Sequence, residues 1–320
     1  MKKIATFLSI SLIFQHFSGY AQKIFTMELI RTLKGHTMPV LALAYSADGR
    51  FLASASGDKT VHIWNIETGM SVQTLSGHAE WVGAVAYSPD GESIVTGSGD
   101  KTVKLWDVSS GQLRRTITGI TTLIGSVAYS PDGHFVAAGL YDNTIKIWNA
   151  SNGTLVQTLS GHTEPVRAIA YSPAGKYLAS GSRDRSVILW EVSSGRPMHV
   201  LEGHAYFVLS VAFSPDGKYL ASCSKDSTIK VWETKSGKLL HSFKHAGEMS
   251  SVTYFSNGKY LAACSYDGSI SIIDNSTFTL VSTIAAHSDW IISVVGSVGG
   301  NYLASGSGDK TVKVWKLAVN

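Results

Sequence analysis

Short apolar stretches alternate with small polar turns along most of this chain, too closely spaced for helices of ordinary length. Val82-Gly-Ala-Val-Ala-Tyr87 runs into Ser88-Pro-Asp-Gly91, and Ile94-Val-Thr-Gly97 into Ser98-Gly-Asp-Lys101. Val103-Lys-Leu-Trp106 then alternates apolar with polar side chains, the period-two signature of a half-buried strand. Pro, Gly, Asp and Ser fill the gaps because each suits a tight turn for its own backbone reason. The pattern predicts strands and turns throughout and no helix.

The pattern also repeats. Measured from one turn aspartate to the next, it falls at Asp58, Asp100, Asp142, Asp184, Asp226, Asp267 and Asp309, in steps of 42, 42, 42, 42, 41 and 42 residues. A second marker runs in phase: Gly35-His36, Gly77-His78, Gly161-His162 and Gly203-His204, with Lys244-His245 and Ala286-His287 as variants. Each of these histidines lies 22 residues before its aspartate. About four short strands fit between successive markers. Such a unit cannot bury both of its faces alone, so neighbouring units must stack.

Two spaced markers that agree over seven copies, with Trp106-Asp107 at the end of one strand and Trp64-Asn65, Trp148-Asn149, Trp190-Glu191 and Trp232-Glu233 at its counterparts, resemble the WD40 repeat. The resemblance covers nearly everything from residue 27 onward. It implies an all-β fold: a single seven-bladed β-propeller of four-stranded antiparallel blades. It also implies how the ring closes. Thr311-Val-Lys-Val-Trp315 ends the last unit without an outer strand, while Leu29–Leu33 aligns with the outer strand Val72-Gln-Thr-Leu75 of the first. The N-terminal strand is therefore expected to complete the C-terminal blade, removing an exposed edge.

Before the repeats, Met1-Lys-Lys3 is followed by an apolar run from Ile4 to Phe14 and by Gly19-Tyr-Ala21. A basic start, a short apolar run and small residues before a break describe a secretory signal peptide over residues 1–21. The run falls short of the roughly 18 apolar residues of a membrane span, so no stable span is expected once it is removed. Gln22, not Cys, follows the break, which argues against a lipid anchor there. The domain reading is signal peptide 1–21, a short leader 22–26 and the propeller over 27–320. Export to the periplasm or the extracellular space follows if the signal acts; otherwise the chain is cytoplasmic.

Charge and cysteine content refine this picture only a little. The formal net charge is +4, and removal of Lys2 and Lys3 leaves +2. That is too mild, and too evenly spread, for a nucleic-acid-binding surface. Cys223 and Cys264, the only two cysteines, occupy equivalent places in successive units. Equivalent positions in neighbouring blades should lie beyond disulfide reach, so both read as buried small hydrophobes.

Five units carry His, Ser or Thr, Asp and Trp in fixed phase. They are His36, Ser54, Asp58 and Trp64; His78, Thr96, Asp100 and Trp106; His162, Ser180, Asp184 and Trp190; His204, Ser222, Asp226 and Trp232; and His287, Ser305, Asp309 and Trp315. Ser, His and Asp together invite a catalytic reading. Five copies spread around a ring offer no unique site, and one histidine per blade makes no metal cluster. The resemblance implies a hydrogen-bonded chain that locks turns to strands. No catalytic residue, metal or cofactor is expected. The third unit has Ile120 and Ala138 at the His and Ser positions, and the sixth has Ala263 and Ile273 at the Ser and Trp positions. Those two should lean on apolar packing and open most easily.

WD40 propellers usually make contacts on the face that carries the starts of the inner strands and the turns after the second strands. Carried onto this chain, the exposed contact positions are three and five residues after the histidine position and one before the aspartate. They include Pro39, Leu41 and Gly57; Trp81, Gly83 and Gly99; Leu123, Gly125 and Tyr141; and Pro165, Arg167 and Arg183. Phe207, Leu209 and Lys225, then Glu248, Ser250 and Tyr266, and finally Trp290, Ile292 and Gly308 complete the circle. Trp81, Tyr141, Phe207, Tyr266 and Trp290 have the composition of interface anchors. With Leu123, and with Arg167, Arg183 and Lys225 as a cationic sector, they favour a protein or peptide partner with an acidic or phosphorylated segment. The expected function is a monomeric, non-catalytic interaction scaffold. The alternative is a small-molecule-binding or hydrolytic propeller working through its central channel, for which Glu248 is the only acid on this rim.

Overall fold

A computed structural model describes residues 25–319, and the signal-peptide reading of residues 1–21 lies outside them. Within them, seven four-stranded antiparallel sheets follow one another around a ring, six of them ordered from inner to outer strand as the sequence runs. Blade 1 shows the plan, with Val40–Tyr45 innermost, then Phe51–Ser56, Thr60–Asn65 and Ser71–Ser76 outermost. The inner strand of each blade touches that of the next, and Ile291–Gly296 of blade 7 returns to Val40–Tyr45 of blade 1. These seven strands enclose a central channel.

The ring closes as a two-ended seam. Phe25–Lys34 pairs antiparallel with Thr311–Val319 and so becomes the outer strand of blade 7. Leu29 lies opposite Trp315 and Leu33 opposite Val312, with a bulge between Leu29 and Arg31. The strand is longer than the five residues expected from the repeat alignment. No helix of the described residues is long and apolar enough to cross a membrane.

Hydrophobic burial lies between blades more than within them. One core cluster joins Ala53, Val61 and Ile63 of blade 1 to Val82, Ile94 and Trp106 of blade 2, and six others repeat the arrangement. Close approach is set by one position on the second strand. A methyl group at Gly97 would come within 2.5 Å of Ile124, and one at Gly181 within 2.6 Å of Val208. Blades 5 and 6 place Cys223 and Cys264 there, in the clusters of Met249 and Ile291 respectively. Both thiols are free and fully buried.

The outer circumference is stitched as well. Arg31 donates from Nε to the Ile66 carbonyl at 3.1 Å, Arg115 from Nη2 to Ser151 at 3.0 Å, and His199 from Nε2 to Lys235 at 3.0 Å. Each bond ties one outer strand to the last turn of the following blade.

A local irregularity recurs in every inner strand. Val40 pairs with Ser56 and Ala42 with Ala55, so Leu41 is left out of the ladder as a bulge. The same skip leaves out Gly83, Gly125, Arg167, Leu209, Ser250 and Ile292. A bulge re-aims the residue it displaces. These seven therefore form a collar at one mouth of the channel.

Candidate functional site

Five polar chains of common design run through the blades. In blade 1 the Trp64 indole donates to Ser54 Oγ at 2.8 Å, Ser54 Oγ lies 2.7 Å from His36 Nε2, and His36 Nδ1 lies 2.8 Å from Asp58 Oδ2. With Nδ1 protonated, the ring donates to the carboxylate and accepts the serine proton at Nε2, so every member is satisfied. Blade 2 repeats this through Trp106, Thr96, His78 and Asp100 at 2.8, 2.7 and 2.7 Å, and blade 4 through Trp190, Ser180, His162 and Asp184 with the same spacings. Blade 5 uses Trp232, Ser222, His204 and Asp226 at 2.8, 2.8 and 3.0 Å; blade 7 uses Trp315, Ser305, His287 and Asp309 at 2.9, 2.8 and 2.8 Å.

The aspartates anchor turns. Asp58 Oδ2 also accepts the Thr37 amide, while Oδ1 accepts the Thr60 amide and hydroxyl. Burial alone would raise these carboxyls, but the hydrogen bonds outweigh it, and Asp100 is held at about 2 by Thr102, His78 and the Ala79 amide. Burial pushes the His78 and His287 imidazoles down, with their aspartates offsetting part of the effect. Each hydroxyl of the chains is 0% exposed and already engaged by an indole and an imidazole. A nucleophile needs access to its substrate. These buried hydroxyls have none.

Blades 3 and 6 differ. Ile120 and Ala138 pack in one apolar cluster with Trp148, and Asp142 is exposed, bonded only to Thr144. In blade 6 Ala263 and Ile273 join an apolar cluster, and His245 Nδ1 stands 3.9 Å from Asp267.

The nine candidate contact residues at the rim are all half-buried, not exposed as the sequence reading held. The reason is that they lean on glycines and on one another. The Trp81 ring lies over Gly83 and Gly99, where an added methyl would stand 2.4 and 2.6 Å from it, and Trp290 covers Gly308 in the same way. Ser250 is a further correction: it is buried, its hydroxyl donating to the Ile291 carbonyl at 2.6 Å.

Cations and rings form a continuous arc over blades 3 to 6. Arg183 lies 5.0 Å from the Tyr141 ring centre and 5.4 Å from that of Phe207, while Arg167 lies 5.4 Å from Tyr141. Lys225 sits over Tyr266 at 5.3 Å, and Glu248 pairs with it at 3.2 Å. Lys225 is thus already neutralised. Trp81, Leu123 and Trp290 stand apart from this arc, on blades 2, 3 and 7. The offsets missed Tyr206, which is 47% exposed and stacks on Phe207 at 4.2 Å. Its adjacency to Phe207 in sequence was the only available signal.

A groove of about 1030 Å³ opens at the opposite end of the ring, between blades 1 and 2. Of its charged side chains Asp48 pairs with Arg50 at 2.5 Å and Asp107 with Arg114, while Asp90 and Glu92 also line it. It shares no residue with the rim.

Comparison with known proteins bears on the repeats directly. The family described as WD domain, G-beta repeat matches residues 27–65 and 278–316, and the Echinoderm microtubule-associated protein second beta-propeller matches 81–226. The Cytochrome D1 heme domain matches 180–293. That stretch holds His199, His204, His241, His245 and His287, of which His204 and His287 spend both ring nitrogens on their polar chains. The Schizosaccharomyces pombe Periodic tryptophan protein 2 homolog is 51% identical over 41 residues, 13% of this chain and 5% of its own length. Protein FIZZY-RELATED 2 of Arabidopsis thaliana is 44% identical over 54 residues, 15% of this chain and 11% of its own. Protein HIRA of Zea mays is 46% identical over 43 residues, 13% of this chain and 4% of its own. The likeness therefore spans about one repeat of each and a small part of those proteins.

Proposed function

Because the chain is a seven-bladed propeller of WD40 repeats, we propose that it is a non-catalytic, monomeric scaffold that binds a protein or peptide partner on the rim of its channel. The observation that carries this reading is the arc of Tyr141, Arg183 and Phe207. A guanidinium that lies against two rings has little conformational freedom left to lose on binding. Trp81 and Trp290 add flat aromatic faces braced from below by glycine backbone. Rigid aromatic and arginine groups of this kind carry most of the energy in protein interfaces. Arg183 favours an acidic or phosphorylated segment, since Lys225 already has Glu248.

The N-terminal segment supports export, with cleavage after Ala21. An intact-mass measurement on the chain recovered from the source cell's envelope and medium tests this. A mature species beginning at Gln22 supports it, and full-length chain confined to the cytoplasm overturns it.

Affinity capture from the same fractions tests the scaffold reading, comparing the chain with a Trp81→Ala/Arg183→Ala/Trp290→Ala variant of unchanged melting temperature. A partner held by the first and lost by the second is the expected outcome. The same proteins captured by both overturn the rim assignment.

A further inference from the structure

The collar of bulged residues at the channel mouth carries a single charge among the described residues. Leu41, Leu209 and Ile292 are apolar, two members are glycine, and Ser250 has turned its hydroxyl away onto backbone. The exception is Arg167. Its Nε is shut off from solvent and has no hydrogen-bond partner, and no carboxylate of the described residues pairs with it. Its guanidinium reaches the Tyr141 ring of blade 3, and its charge is felt by the Tyr266 hydroxyl of blade 6. This side chain of blade 4 thus leans onto the neighbouring blade at the channel mouth.

Arg183 makes the situation sharper. Both guanidinium groups lie against the Tyr141 ring, at 5.4 and 5.0 Å from its centre, and neither has an ion-pair partner among the described residues, although the adjacent Lys225 has one. Burial and the neighbouring Arg183 push the Arg167 guanidinium down, but an arginine keeps its proton at any physiological pH. The protein therefore holds two like charges together, one with an enclosed and idle donor. Aromatic faces offset part of that cost; a counter-charge would offset much more.

We propose that the channel mouth is an oxyanion site, in which a phosphate or carboxylate group is held by Arg167 and Arg183. With Arg167 Nε closed to solvent, the Nη groups of Arg167 and Arg183 are the donors that the oxygens of such a group would accept. The inference depends on the scaffold reading only in lying on the same face. The anion comes either free from solution or as an acidic side chain of a bound partner.

Calorimetric titration of the full chain, at constant ionic strength set with chloride, separates these sources. One arm uses inorganic phosphate, the other a synthetic glutamate-rich peptide. Saturable phosphate binding, weakened about tenfold or more in Arg167→Met, supports a free-anion site. Saturation by the peptide alone, lost in Arg167→Met, supports the same pocket filled by a partner's side chain. Arg167→Met should also melt no lower than the unmodified chain in phosphate-free buffer, because it removes an unpaired charge. Should that variant fail to fold, Arg167→Lys keeps the charge, loses the fork, and should still weaken binding. Binding unchanged by either substitution, or absent from the unmodified chain in both arms, overturns the proposal. Phosphate titration uses no partner protein, so a failed capture experiment with phosphate binding intact tells loss of the rim reading from loss of this site.

Discussion

The Trp106 indole N–H donates to Thr96 Oγ1 at 2.8 Å, at the heart of a polar chain that continues to His78 at 2.7 Å. Thr96 is 0% exposed, so water cannot replace its hydroxyl. Thr96→Val keeps the shape and strands both an indole N–H and an imidazole nitrogen. At about 1–3 kcal/mol for each of the two buried unsatisfied groups, a loss of about 2–6 kcal/mol is expected in urea unfolding. A loss below about 0.5 kcal/mol, the range of ordinary surface changes, would mean that the chain contributes nothing to stability.

Acid should act through the same chains, in two stages. The folded-state pKa values of His78 and His287 lie below the usual 6.5, so the unfolded chain takes up protons first. Their contribution is complete above pH 6.5 and is lost as pH falls below it. The Asp100 carboxyl, held at about 2 against an ordinary 3.8, contributes fully above 3.8 and loses that contribution as pH falls towards 2. Melting temperature should therefore decline from near pH 6.5 and steepen below pH 4. His78→Gln should reduce the first decline, of which His287 keeps a part, and soften the second, because Asp100 loses one of the groups that hold it down.

Blades 3 and 6 should open before the others. Ile120 and Ala138 replace directional bonds with packing in one, and a 3.9 Å His245–Asp267 separation leaves the other loosely tied. Amide hydrogen exchange should show the turns after Leu140 and Ser265 exchanging faster than those after Ser98 and Ser182. Equal protection in all seven blades would contradict this.

Six of the tight turns that follow the second strands put a side-chain-bearing residue in the left-handed region, among them Lys101 at φ 64°. The exposed Lys101 side chain makes no bond that would compensate. Lys101→Gly relieves that conformation at the cost of a looser unfolded chain, and a net gain of about 0.5–1 kcal/mol is expected from chemical denaturation. A loss of stability would show that the lysine side chain contributes more than the strain it imposes.

The two thiols should be inert in the folded protein. Burial pushes Cys264 up to about 12 and raises Cys223 as well, and both are 0% exposed. An aromatic disulfide reagent should label them only at the rate of blade opening, with Cys264 of the loosely tied blade 6 reacting first. Rapid labelling of both at neutral pH would place them on an accessible surface.

Blade number and ring closure were legible because they rest on spacing. Aspartates 41 or 42 residues apart can only be stacked units, and an outer strand missing at Trp315 but present at Leu33 can only be shared. Depth was not legible. Fixed offsets from the histidine placed Arg167, Leu209 and Ser250 together, yet the structure leaves the first idle at the channel mouth and ties the last to the Ile291 carbonyl. The difference lies in what the neighbouring blade offers, and a repeat pattern records only what each blade is made of. For the same reason Lys225 read as a free cation until Glu248 was found 3.2 Å away on the next blade. Tyr206, off every offset, was invisible although it supports Phe207.

The pairing of Phe25–Lys34 with Thr311–Val319 makes assembly depend on the order of synthesis. The strand that finishes blade 7 is made before any blade and must wait, edge bare, until its partner emerges near the other terminus. A nascent chain can build blades 1 to 6 in turn but stays an open arc throughout. A chain broken off before Thr311 is therefore not a smaller propeller. It is an unclasped one, with a loose strand at one end and an unmatched sheet at the other, the kind of edge that a protease or chaperone recognises.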